Sequence, residues 1–240
     1  MALLLCAPTA DELAALLADA DPDGARPDEE LKLVPIRLKG RRAWACLTGV
    51  GPINAALALG AAIAGAGAAG EPVSGVLLAG LAGAFDLREL PLGSLCLVRE
   101  EIWPEYGLHD GTGVTAAAFS FPLWRRPARE GGDVYDRLSL ARPRDMGLSA
   151  AADALEERTS LTVAGVSASR ARAAAMRERY GAALENMEGF AVAYACARYG
   201  IPCVEARSVS NKVGPRAADE KDFPGALRRL SRVLPMLGLS

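Results

Sequence analysis

The chain has a single histidine among its 240 residues, His109, so any imidazole proton carrier must be that one side chain. It also lacks a cationic surplus: 27 Lys and Arg stand against 29 Asp and Glu, a formal charge of -2. No overall field exists to gather nucleic acid, and Arg125-Arg126 and Arg228-Arg229 read as solvated faces. The five cysteines (Cys6, Cys46, Cys96, Cys196, Cys203) form no C-x-x-C pair, which excludes the usual zinc and dithiol patterns and fits buried thiols in a reducing cytoplasm. The run Ala2 to Ala7 has no basic residues ahead of it and stops at Pro8, unlike a secretory leader. The Ala/Gly run from Ala55 to Gly70 falls short of the roughly 20 residues that cross a bilayer, so it predicts a tightly packed helix and no membrane partner. Nucleotide signatures are missing too. Gly65 to Gly70 spells G-x-G-x-x-G at a helix tail instead of after a strand, and Gly60 and Gly65 have P-loop spacing without the Lys that would meet a phosphate.

What is present is alternation. Leu3 to Cys6 predicts a buried strand, and Thr9 with Glu12 three residues later is a capping box for a helix carrying Leu13, Leu16 and Leu17. Asp19 to Glu30 reads as a surface loop, and Leu31 to Leu38 and Ala43 to Thr48 as a strand pair turning at Lys39-Gly40. Pro52 suits the first turn of the Ala-rich helix, and Val73 to Ala79 is another apolar strand. Gly80-Leu81-Ala82-Gly83-Ala84 then predicts a loop whose glycines let backbone approach a ligand. Ser94 to Glu100 reads as a strand. Pro104 to Asp145 is long, irregular and punctuated by Gly and Pro, the character of a pocket wall, with Trp103, Tyr106 and Trp124 as candidate lining and His109 as a loop residue near the pocket. From Ser149 the pattern resumes: helix 150–158, strand 161–166, helix 170–180, strand 183–186, helix 188–199, strand 203–209 and a terminal helix after Pro224. The expectation is one domain, 1–240, built as a three-layer α/β/α sandwich on a mixed sheet.

Two segments stand out. Glu185-Asn186-Met187-Glu188-Gly189 places a carboxylate at a strand-to-helix junction, and Arg207-Ser208-Val209-Ser210-Asn211 ends a buried strand in polar side chains, where ligands gather in open α/β sheets. Glu12 is explained by its capping box alone, Glu188 by the helix dipole, and Asn211 by a turn before Gly214-Pro215. Arg207 resists so plain an explanation, because a guanidinium inside an apolar strand needs partners.

Together with Ala7 to Leu13, the Gly49 to Asn54 turn and Gly80 to Gly83, those segments occur in the order and near the spacings of the nucleoside phosphorylase and nucleosidase superfamily, which the chain resembles over nearly its whole length. Within it the resemblance is to the futalosine hydrolases of menaquinone biosynthesis, relatives of the methylthioadenosine/S-adenosylhomocysteine nucleosidases. It implies cleavage of the N-glycosidic bond of futalosine, releasing hypoxanthine and dehypoxanthine futalosine, by a cytoplasmic homodimer or higher homo-oligomer that uses no metal or organic cofactor. By resemblance Glu188 accepts from the ribose hydroxyls, Met187 packs on the ribose, Glu12 is the general base and Arg207 helps to hold the attacking water. Gly80, Leu81, Ala82, Gly83 and Ser210 line the nucleoside site, Leu81 standing where the related nucleosidases carry a Ser. Asn211 replaces an Asp of the adenine-releasing enzymes, and a carboxamide, with a donor as well as an acceptor, suits a 6-oxopurine. Arg125, Arg126 and Arg170 are candidates for the substrate's benzoate. The alternatives are an adenine-releasing nucleosidase, acting on methylthioadenosine, S-adenosylhomocysteine or aminodeoxyfutalosine, and a nucleoside-binding protein without catalysis.

Overall fold

A computed structural model describes residues 2–20, 25–111, 113–127, 131–215, 217 and 220–240, so the expected surface loop between Asp19 and Glu30 falls partly outside the described residues. Its spine is a mixed sheet that opens with β1 (Ala2–Ala7) at the centre, parallel to both β3 (Arg41–Leu47) and β4 (Val73–Ala84). On the outer side β2 (Val34–Leu38) pairs antiparallel with β3 across the Lys39-Gly40 turn. On the inner side β4 lies parallel to β11 (Cys203–Lys212), which runs antiparallel to β5 (Leu95–Ile102). Next come β9 (Glu156–Thr162), parallel to β5, and β10 (Leu184–Asn186), parallel to β9. β10 also pairs antiparallel with β4, so β4, β11, β5, β9 and β10 close on themselves as a ring.

Strands covered on both faces must be apolar throughout, as the sequences of β1 and β4 are. Successive side chains alternate between layers. Leu4, Cys6, Val76 and Leu78 face α2 (Pro52–Ala68) and α4 (Gly189–Tyr199). Leu5, Ala7, Leu77 and Ala79 face α1 (Ala10–Leu17), α5 (Phe223–Leu230) and α6 (Val233–Met236). A smaller cluster of Phe85, Ile102, Leu161 and Val213 sits beneath α3 (Arg170–Tyr180), completing the sandwich. Truncating Leu77 or Leu78, both fully buried, to Ala would cost about 2–5 kcal/mol.

Several expectations need correction. Gly80 to Ala84 is the second half of β4 and not a loop, because β11 and β10 hydrogen-bond to it from both sides. The glycines are needed for room. A Cβ on Gly80 would stand 2.8 Å from Arg207 Nη1 and 3.0 Å from Glu12 Oε1, and one on Gly83 would stand 3.0 Å from Asn211 Nδ2. The expected helix 150–158 is a short 3-10 turn, 150–154, and β9 begins at Glu156, five residues before the expected strand. The early part of β9 is polar because its side chains form ion pairs, Glu157 with Arg142 and Glu156 with Arg158, and this masks the strand in the sequence. β5 and β11 both outrun their expected ends, through the buried Glu101 and through a bulge between Val209 and Asn211. The 104–145 segment contains β6 (Leu108–His109), β7 (Val114–Thr115) and β8 (Arg137–Ser139), the last of which pairs with β5. All five cysteines are buried and unbridged. No helix among the described residues is long and apolar enough to cross a membrane.

Candidate active site

Where β4, β10 and β11 meet the starts of α1 and α4, a cavity of about 430 Å³ opens. Glu12, Leu81, Ala82, Gly83, Met187, Glu188, Ser210 and Asn211 line it. These come from α1, β4, β11 and the junction between β10 and α4, brought together by the register of the sheet. Gly80 and Arg207 lie behind the wall, and Arg207 reaches the cavity only through the carboxylates that it holds. The exposed Val50, Val166 and Phe223 form an apolar rim.

At one end, carboxylates surround a single cation. Arg207 is completely buried (0% exposed), with Nε 2.7 Å from Glu205 Oε1, Nη1 3.3 Å from Glu188 Oε2 and 3.0 Å from the Leu81 carbonyl, and Nη2 3.0 Å from Asn186 Oδ1. Burial works against its charge, but Glu205 and Glu188 more than offset that and keep it protonated. The other Glu188 oxygen accepts from the Gly51 amide at 3.2 Å, from a turn whose φ of +95° suits glycine. Thr9 caps α1 by accepting from the Glu12 amide, but the Glu12 carboxylate turns toward the cavity. There Oε2 accepts from the Thr9 hydroxyl at 2.6 Å and Oε1 from the Leu81 amide at 2.8 Å. Burial raises the Glu12 pKa above the ordinary carboxylate range, against the opposing pull of Thr9, Leu81 and Arg207. A carboxylate so placed is a better base near neutrality. Leu81 therefore serves through its backbone, tying the acid to the cation.

Behind this end lies a second pair of acids that the sequence reading missed. Glu101 and Glu205 are both fully buried, and their Oε1 atoms stand 2.4 and 2.6 Å from where a Gly189 Cβ would be, which only glycine permits. Burial, and then the neighbouring acid, raise the Glu101 pKa; burial raises that of Glu205 in spite of Arg207. Glu205 Oε2 has no hydrogen-bond partner among the described residues, and a proton held between the two acids would satisfy it. Thr162 Oγ1 and Asn186 Nδ2 each donate to Glu101 at 2.6 Å, and Asn186 Oδ1 in turn caps the Glu188 and Gly189 amides. The signal was available: Glu205 and Arg207 are two apart in one strand and share a face.

At the other end, Asn211 sits on the bulge of β11 beside Gly83. Its Oδ1 accepts from the Ser210 hydroxyl at 2.8 Å, and its Nδ2 donates one proton to the Lys212 carbonyl at 2.9 Å, the second having no partner among the described residues. Glu185 of β10, also missed, lines this end with both oxygens held by Ser167, at 2.9 Å from the amide and 2.6 Å from the hydroxyl.

Other candidates lie elsewhere. His109 is exposed in β6, its Nδ1 accepting from the Gly111 amide. Trp103 stacks on Tyr106 and packs against Phe190, and Trp124 packs edge-on to Tyr194, so these aromatic residues cover α4 instead of walling the cavity. None of Arg125, Arg126 and Arg170 lines it; Arg126 lies over the Trp124 ring. Among the described residues no group of three or more His, Cys, Asp or Glu is arranged to hold a metal ion.

Comparison with known proteins gives a consistent result. The profile of the phosphorylase superfamily matches residues 2–234. The futalosine hydrolase of Thermus thermophilus is 36% identical over 203 residues, covering 83% of each chain. That of Streptomyces coelicolor is 39% identical over 174 residues, covering 70% of this chain and 66% of its own. Among solved structures, the futalosine hydrolase of Helicobacter pylori superposes with a TM-score of 0.77 at 17% identity, covering 99% of this chain and 97% of its own. A 5'-methylthioadenosine/S-adenosylhomocysteine nucleosidase from the same organism superposes at 0.76 and 18%, with the same coverage. At such identities the structural likeness speaks for the fold.

Proposed function

The chain belongs to the phosphorylase superfamily, and from that premise we propose that it is an N-glycosyl hydrolase that cleaves futalosine to hypoxanthine and dehypoxanthine futalosine, as the names of its relatives suggest. The observation that carries the reading is one cavity with the Asn211 carboxamide at one end and the Glu188 and Glu12 carboxylates at the other. This matches the demands of the reaction. As the bond between the sugar C1' and the purine N9 breaks, its electron pair leaves with the base and the sugar becomes oxocarbenium-like. Glu188, held by Gly51 and Arg207, accepts from the ribose hydroxyls and offsets the growing positive charge, with Met187 against the ribose. Glu12 takes a proton from water as its oxygen bonds to C1'. The free Asn211 proton supports the charge that develops on the departing base. Arg207 is a positioning residue, fixing Glu188 directly and Glu12 through the Leu81 backbone without reaching the substrate.

The whole chain works around this cavity, since all three hydrophobic clusters rest on one sheet. A homodimer is supported by the outer face of α2, where Ile53 (82% exposed) and Leu57 continue the apolar rim from Val50. Sedimentation of the protein with Ile53→Glu and Leu57→Glu, expected to be monomeric, tests that association. The buried, unbridged cysteines fit a cytoplasmic setting.

The reaction is tested by giving the purified protein futalosine and its adenine-bearing counterpart and identifying the released base by chromatography. Hypoxanthine should dominate. Preferential adenine release would reject the substrate assignment, and tight binding with no base release, unchanged by Glu12→Gln, would reject hydrolysis.

A further inference from the structure

Glu185 takes no part in the chemistry above, yet it is a buried carboxylate facing the cavity. Its place in the sheet is specific. In β10 it is the register partner of Gly83, and Gly83 is on its other side the register partner of Asn211. Three neighbouring strands thus present Glu185, Gly83 and Asn211 in one row, and directly paired residues project to the same face. With adjacent strands about 4.8 Å apart, the outer two backbones are separated by about 10 Å, and because Gly83 has no Cβ the Asn211 amide and a Val213 methyl close over the centre, Asn211 Nδ2 lying 3.0 Å from where that Cβ would be. The carboxylate and the carboxamide of this row line the same cavity, where a flat heterocycle can meet both through hydrogen bonds of about 2.8–3.0 Å.

The polarity of the two margins differs. Asn211 offers a proton. Glu185 offers lone pairs: the Ser167 amide and hydroxyl each donate to one of its oxygens, and Arg172 Nε, 3.2 Å from the Ser167 hydroxyl, backs the arrangement with positive charge. A carboxylate gripped by two donors is set as an acceptor, and each oxygen keeps a further lone pair. Burial raises its pKa, while Ser167 and then Arg172 oppose the rise.

Resting on the proposed hypoxanthine release, we infer that Glu185 is a specificity-determining residue that accepts the N1–H of a 6-oxopurine while Asn211 donates to the O6/N7 side of the same ring. The donor order of the base matches this row. A 6-oxopurine carries acceptors at N7 and O6 and a donor at N1. A 6-aminopurine carries an acceptor at N1, which would meet the carboxylate lone pair to lone pair. Discrimination then arises from both margins, and the unfavourable one is Glu185, because a buried polar group set against a like partner rejects a ligand more strongly than a lost contact does.

The test is a competition in one vessel between futalosine and its adenine-bearing counterpart, reading the ratio of released hypoxanthine to adenine for the wild type, Glu185→Gln and Glu185→Leu. The ratio is internal to each preparation, so a smaller folded fraction cancels. The expected result is a fall in the ratio of at least tenfold, and about a hundredfold for Glu185→Leu, with hypoxanthine binding by calorimetry weakened in parallel and adenine binding unchanged or tightened. A wild type that prefers hypoxanthine while both variants keep its ratio within about twofold would overturn the role of Glu185 and leave the reaction standing. A wild type that prefers adenine would overturn the reaction itself, and this inference with it.

Discussion

The two ends of the cavity are built on opposite principles. At the sugar end, Glu12, Glu188, Glu205 and Glu101 crowd one guanidinium, and nearly every oxygen is tied to a fixed donor. At the base end, Asn211 and Glu185 stand across a bare glycine with hydrogen-bonding capacity left over. The first arrangement fixes charge where the reaction develops it, and the second leaves room to read a ligand. On the proposed reaction, charge would govern rate at one end and donor order would govern choice at the other.

That division breaks most easily at Arg207. Arg207→Met leaves Glu188 and Glu205 facing each other without a counter-charge, and should cost about 3–5 kcal/mol of folding stability in urea titrations. An unchanged midpoint would show that the carboxylates do not depend on it. Next is Glu12→Gln, expected to lower kcat by about 10²–10⁴-fold while leaving the ratio of released bases unaltered. As the proposed base Glu12 would act ionised, and its pKa is raised, so wild-type kcat/KM should fall as acid is added at a pH above the ordinary carboxylate value, a limb the variant lacks. A change in base preference would erase the separation of the two ends. Asn211→Asp should do the converse, moving the ratio about tenfold to a hundredfold toward adenine with a smaller effect on overall turnover, read by the same competition assay.

The smallest effect is expected at Glu101. Its folded-state pKa is raised, so the stability it contributes is complete below the unfolded carboxylate range and is lost as pH rises through the folded value. Gln cannot ionise and mimics the protonated acid. Urea midpoints of Glu101→Gln and wild type should coincide near pH 5 and separate by about 1 kcal/mol in favour of the variant by pH 8. Parallel curves would remove the shared proton from the account.

Legibility in the sequence followed the same divide. Helices with clear signals, the capped and apolar-faced α1 and the α3 bounded by Ser169 and Gly181, were readable to within a residue or two, and the order of layers came with them. Gly80 to Ala84 misled because glycine usually marks a turn, whereas here it makes space for Arg207, Glu12 and Asn211 inside a strand. β9 misled because its ion-paired start looks like a solvated helix. Residues of the site that stand alone as polar side chains in apolar strands, Arg207 above all, announced themselves. Glu101 and Glu185 did not, since their partners, Asn186 and Ser167, are 85 and 18 positions away, and it is the pairing of β10 with β9 and of β9 with β5, within the closed sheet, that unites them.

That closure has a consequence for traffic. β10 is only three residues long, but both its margins are bonded, to β9 and to β4, so opening this inner wall would break pairing on two sides at once. Entry and departure then fall to the greasy lip formed by Val50, Val166 and Phe223, which begins one residue from the Gly51 amide that holds Glu188.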